Sequence, residues 1–225
     1  MELKPRLIEV AVPRDPAGVV LVLHGGASRR GKMMVSPAQL SVLRMVPVAR
    51  RIVRASRGRL AVFRVLNSRR GWDIRHTPVQ DAVWALDRVA LRIGARLPTC
   101  LVGHSLGGRA ALLTAGRPEV RSATALAPWV YSTDIARGVD GKRILIVHGS
   151  ADRVASPERS ASLAQVLSRR AEVAYVTVTG AGHAMLRRQA LFDGLAAEFV
   201  LLTLLGVSAG ETIRRIEMGE RRITL

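Results

Sequence analysis

The sequence predicts an α/β fold with a mostly parallel central sheet flanked by helices, and three observations predict it. Short apolar runs such as 19–23 (Val-Val-Leu-Val-Leu) lack a polar face, which suits strands buried on both sides. These runs alternate with longer segments in which apolar residues recur at helical spacing, the pattern of strand–helix–strand units. The third is the stretch 99–113, an apolar run that breaks at glycines around Ser105 and resumes as an alanine- and leucine-rich helix. With 225 residues, 48% of them hydrophobic, the chain suffices for one sizeable core and is short for two. One domain is expected over 1–205, followed by a basic, mixed-charge C-terminal tail at 206–225.

Taken in order, residues 8–12 form a first short strand, Asp15-Pro16-Ala17-Gly18 turns, and 19–23 is a central strand. His24-Gly25-Gly26-Ala27 leaves that strand as a loop whose glycines let backbone N–H groups approach an anion. His24 is expected to brace the loop by hydrogen bonds. Ser36-Pro37 starts a helix that Pro47 should kink. Residues 60–66 are the next strand, and 67–73 are a polar loop at its carboxyl end.

Thr77-Pro78 opens a helix that Gly94 closes, and the strand of the serine turn follows. Cys100 lies inside that strand as a buried structural thiol; a lone cysteine cannot form an internal disulfide. Residues 123–127 and 143–147 are further strands, joined by only the fourteen residues 129–142. Ser156-Pro157-Glu158 caps a helix, 173–178 is the last strand, and a helix over 185–205 closes the sheet. In the tail, Ile213, Ile216 and Met218 dock on the body or on a partner, or else belong to a mobile end.

Around Ser105 the turn is so tight that a side chain at Gly103 or Gly107 would collide with its neighbours, and the serine is thrust out at the carboxyl edge of the sheet. The helix N-terminus beneath it favours negative charge there. In this the sequence resembles the α/β-hydrolase superfamily, from about residue 19 to about 205. The likeness rests also on Leu23-His24-Gly25-Gly26, on His148-Gly149-Ser150-Ala151-Asp152 and on Gly180-Ala181-Gly182-His183. The order Ser105, Asp152, His183 is that of this superfamily. The resemblance implies the α/β-hydrolase fold, and the short 129–142 connection implies no cap domain, as in small lidless serine esterases of dienelactone-hydrolase size.

A serine hydroxyl needs a base that takes its proton as it attacks, and His183, in a loop after the last strand, suits that role. Asp152 suits the partner that fixes the imidazole's tautomer, with Asp134 as the alternative acid. By the resemblance, Gly26 and Leu106 supply the N–H donors of an oxyanion hole. Arg70, Trp72 and Trp129 are pocket candidates, while Arg70 and Trp72 equally suit anchoring of their loop, whose Arg-Gly-aromatic sequence is similar to one in the superfamily. No two histidines have zinc-site spacing and no dinucleotide- or phosphate-loop pattern follows a strand, so neither metal nor cofactor is implied.

The formal net charge is +18, from 35 basic against 17 acidic residues, and twelve basic residues with no acidic one lie between Asp15 and Asp73. This is either a solvated arginine-rich surface or a face for peripheral contact with anionic surfaces, without sequence-specific nucleic-acid binding. With no h-region at the start and an apolar stretch at 195–207 too short for a bilayer, a cytoplasmic location is expected. The predicted function is cleavage of a small-molecule carboxylic ester or thioester through an acyl-enzyme. Without a cap the cleft offers an acyl chain little apolar contact, at about 0.8 kcal/mol per enclosed methylene, so acyl groups of roughly two to six carbons should serve best. Acyl transfer or another reaction of the same three residues, and a non-catalytic protein binding an anionic partner through its basic face, are the alternatives.

Overall fold

The structure, a computed structural model, describes residues 4–27 and 34–225. Arg29, Arg30 and Lys32 of the basic stretch lie outside these. The apolar runs become the strands β1 (Arg6–Ala11), β2 (Gly18–Leu23), β3 (Leu60–Leu66), β4 (Thr99–His104), β5 (Val120–Leu126), β6 (Arg143–Gly149) and β7 (Glu172–Val178), and β8 (Arg222–Thr224) follows them. They form one sheet in the order β1-β3-β2-β4-β5-β6-β7-β8. Only β1 runs antiparallel to its neighbour, β3. Every residue of β2 and β4 is buried, because helices cover both faces.

The pleat sorts side chains to the two faces. Val20, Val22, Cys100 and Val102 meet the helices α2 (Met45–Ser56), α6 (Gln189–Leu205) and α7 (Glu211–Glu217), whereas Val19, Leu21, Leu23 and Leu101 meet α3 (Thr77–Ile93), α4 (Leu106–Thr114) and α5 (Pro157–Leu167). Full burial pushes the Cys100 thiol up to about 12, so it stays protonated in the core. Residues 129–142 contain turns and no helix, and no cap is built there. No helix among the described residues is long and apolar enough to cross a membrane.

Three elements depart from the sequence expectation. The helix expected from Ser36-Pro37 is two pieces, α1 (Leu40–Leu43) and α2, broken at Arg44. Pro47 explains the break, since it has no N–H for the Leu43 carbonyl and its ring crowds that group. The helix expected from 185 starts at Gln189, behind a 3-10 turn over Leu186–Arg188. The closing residues 206–225, expected as an appended tail, fold against the body. Ile213 and Ile216 of α7 are buried, Met218 is exposed, and β8 extends the sheet beside β7 with Ile223 pointing into the core.

Candidate active site

Ser105 stands between β4 and α4 with φ 56° and ψ −119°, a conformation that a non-glycine residue holds only where its surroundings enforce it. The enforcement is visible. A Cβ on Gly103 would strike the Gly107 carbonyl, and one on Gly107 would strike the Leu23 carbonyl, so helix, serine strand and the end of β2 pack at backbone distance. The Ser105 N–H donates to the Leu126 carbonyl at 2.9 Å, and the Ser105 carbonyl accepts from the Trp129 N–H at 3.1 Å. The serine turn is thus tied to the end of β5 and to the loop after it.

His183 lies between Ser105 and Asp152. Its Nε2 is 2.9 Å from Ser105 Oγ and its Nδ1 is 2.8 Å from Asp152 Oδ2. A carboxylate only accepts, so the imidazole proton belongs on Nδ1 and Nε2 is free to accept from the serine hydroxyl. Asp152 is held from every side: the N–H groups of Val154 and Ala155 donate to Oδ1 at 2.8 and 3.0 Å, and His148 Nε2 donates to Oδ2 at 3.0 Å. Burial alone would raise the Asp152 carboxyl, but these donors together with His183 outweigh it and hold it well below the ordinary carboxylate range.

Two further braces fix the histidine loop. His104 Nε2 donates to the His183 carbonyl at 2.9 Å. Arg44, at the α1–α2 break, donates from Nε to the Ala184 carbonyl at 3.1 Å and from both terminal nitrogens to Asp193 of α6 at 3.0 Å. Burial, aided by the nearby His183, pushes His104 down to about 3. Burial likewise pushes His24 down to about 4. His24 accepts at Nε2 from the Asn67 N–H at 3.1 Å and donates from Nδ1 to the Gly25 carbonyl at 2.6 Å, tying the glycine loop to the end of β3.

Two cavities meet at Ser105. One, of about 350 Å³, is bordered by Gly26, Leu106, Trp72 and Trp129. The other, of about 530 Å³, is bordered by Gly26, His183, Leu40, Leu43 and Leu186. Gly26, Leu106, Trp72 and Trp129 therefore gather round the serine. Arg70 is not among the residues that line either cavity, and its buried Nε has no hydrogen-bond partner among the described residues.

Asp134, the alternative acid, is corrected to a different role: its Oδ1 accepts from Arg109 at 2.8 Å and its Oδ2 from the Tyr131 N–H at 2.8 Å, while the Nδ1 of His183 is bonded to Asp152 instead. The Arg109 guanidinium also sits 4.0 Å from the Trp72 ring centre, 5.2 Å from that of Trp129 and 5.0 Å from that of Tyr131, and so knits together one cavity wall. The sequence singled out neither Arg109 nor Arg44, and it offered His148, which precedes a glycine, as a structural histidine. The available signals were position: Arg109 comes one helical turn after Ser105, and His148 four residues before Asp152.

A family model described as PET hydrolase-like matches residues 83–199. Among solved structures the chain is similar to a protein of unknown function with the α/β-hydrolase fold from Agrobacterium tumefaciens, at 20% identity and TM-score 0.67 over 92% of this chain and 94% of that one. It is also similar to Est1E from Butyrivibrio proteoclasticus, solved with ferulic acid bound, at 16% identity and TM-score 0.65 over 89% and 95%. A serine hydrolase without lid from Xanthomonas campestris aligns at 18% identity and TM-score 0.64 over 91% and 89%. At these identities the likeness shows the shared fold. No curated protein matches the chain.

Proposed function

The chain belongs to the PET hydrolase-like family of α/β hydrolases, and from that premise we propose that it cleaves carboxylic esters through an acyl-enzyme formed on Ser105. The observation that carries this reading is the hydrogen-bonded line from Ser105 Oγ through His183 to Asp152, with distances of 2.9 and 2.8 Å. It fits the requirement that the nucleophile and its base lie within hydrogen-bond reach and that a third group orient the base.

In this mechanism His183 Nε2 takes the hydroxyl proton as Ser105 Oγ bonds to the ester carbonyl carbon. The imidazolium that results is stabilised by Asp152, which stays ionised. Negative charge moves onto the carbonyl oxygen, where the N–H groups of Gly26 and Leu106 and the N-terminus of α4 meet it. The tetrahedral carbon then expels the alkoxide, to which His183 delivers its proton, leaving an ester between Ser105 and the acyl group. Water, deprotonated by His183 in turn, attacks that ester, and as the bond between the acyl carbon and Ser105 Oγ breaks, His183 returns the proton to Oγ and the acid departs. The strained backbone at Ser105 keeps the oxygen at the rim of both cavities, within reach of a substrate.

Labelling with a fluorophosphonate and turnover of p-nitrophenyl acetate test the proposal together. The expected result is modification of Ser105 and hydrolysis of the ester, with both lost in Ser105→Ala while the melting temperature holds. Undiminished hydrolysis by the alanine variant would refute it.

A further inference from the structure

The two cavities differ in which catalytic group they border, and this gives them different places in an ester. The larger one is walled by His183 and Ala184 and does not reach Leu106; the smaller is walled by Leu106 and does not reach His183. When the C–O bond of an ester breaks, the departing oxygen receives its proton from the histidine, so the alcohol must lie on the His183 side. The acyl group leaves the same carbon on the side away from His183, where the smaller cavity opens, while Ser105 and Gly26 border both.

From this we infer that the 530 Å³ cavity is an alcohol-side binding site that selects esters of long aliphatic alcohols, a reading that rests on the ester hydrolysis proposed above. Its walls include Leu40, Leu43, Pro47, Val154 and Leu186, and Arg44, the one Arg or Lys among the described residues that line it, has Nε and both terminal nitrogens engaged by the Ala184 carbonyl and Asp193. Among the described residues that line it, none therefore offers a free charge to a carboxylate or phosphate on the alcohol. Leu40 and Leu186 are 85% and 69% exposed at the mouth, and an alkyl chain lying between them takes their surface out of water. A methylene enclosed there is worth about fourfold in kcat/KM, and one at the open rim about twofold. In the reaction the alcohol leaves as R–OH, with the proton that began on Ser105 Oγ, while its former carbonyl carbon remains bonded to Ser105.

Two ester series separate the sides: acetates of linear alcohols from ethyl to decyl, and ethyl esters of linear acids from acetate to decanoate, both below their solubility limits. The expected outcome is kcat/KM rising about two- to fourfold per methylene along the alcohol series, with the acid series flat or falling beyond about six carbons. Leu40→Asp and Leu186→Asp, both at exposed positions that the fold tolerates, should each lower the decyl-to-ethyl acetate ratio about tenfold. Neither should alter the ratio of ethyl hexanoate to ethyl acetate. An alcohol series that is flat, or an acid series that climbs as steeply, in an enzyme that is labelled at Ser105 and hydrolyses ethyl acetate overturns this inference alone. Absence of any ester turnover or labelling overturns the esterase reading and the inference with it.

Discussion

Asp152 and Asp134 are the same residue type, sit in loops after neighbouring parallel strands, and are equally buried at 8% and 7% exposure, yet they do different work. Asp152 takes four donors, one of them His183, and completes a line to the serine. Asp134 takes Arg109 and the Tyr131 N–H and completes a wall, since the guanidinium it anchors lies against Trp72 and Trp129. The difference teaches that burial and position at the carboxyl edge do not by themselves make a catalytic acid. What decides is which cation or imidazole another element brings within 3 Å, Arg109 from α4 for Asp134 and His183 from the loop after β7 for Asp152.

The largest effect expected from breaking this contrast is in rate. Asp152→Asn should cost on the order of 10⁴ in kcat, because the wrong tautomer of His183 is then favoured. Asp134→Asn should leave kcat within about tenfold and instead lower stability by about 3–5 kcal/mol, since it strands a buried guanidinium. Parallel ester kinetics and denaturant melts check both, and a collapse of kcat in the Asp134 variant with normal rates in the other would exchange their roles.

A smaller effect sharpens the reading of Asp134 as a wall element. Replacing Asp134 and Arg109 together, as Asp134→Leu with Arg109→Met, should recover stability to within about 2 kcal/mol of the parent, as buried ion pairs exchanged for apolar residues commonly do. The two indoles lose their cation in this variant, so KM should rise several-fold with kcat little changed. Equal stability of the single and double variants would deny the pair its energetic coupling.

The smallest effect concerns pH. Because Asp152 is held below the carboxylate range, activity should not be lost through it as pH falls toward 4. Stability should fall first. His24 and His104 are pushed down to about 4 and about 3 by burial, whereas in the unfolded chain they titrate near 6.5. Between pH 6.5 and those values the unfolded state binds the extra protons, so stability drops as pH drops, by roughly 2 kcal/mol per histidine at pH 5. A melting profile from pH 8 to pH 5 checks this, and His24→Asn should remove about half of the slope.

Much of the fold is written locally. The all-apolar runs of β2 and β4 announce a sheet covered on both faces, and the glycines at 103 and 107 announce a backbone approach that no other residue permits, because both signals report what the chain can do within a few residues. The chain order of Ser105, Asp152 and His183 is likewise visible without coordinates. Long-range pairing is not. Arg44 and Asp193 are 149 residues apart, and Arg109 and Asp134 are 25, and nothing in the local pattern of either arginine states which acid it will meet. β8 is three residues long with one buried side chain, Ile223, too little for an alternating pattern to register. The cavities are assembled from the loops after β2, β3, β4, β5, β6 and β7. Sequence determined the strands, the strained serine turn and the apolar faces, since these depend on near neighbours; tertiary structure alone decided the partners of the buried charges and the division of space around Ser105, since these depend on where separate loops arrive at one edge of the sheet.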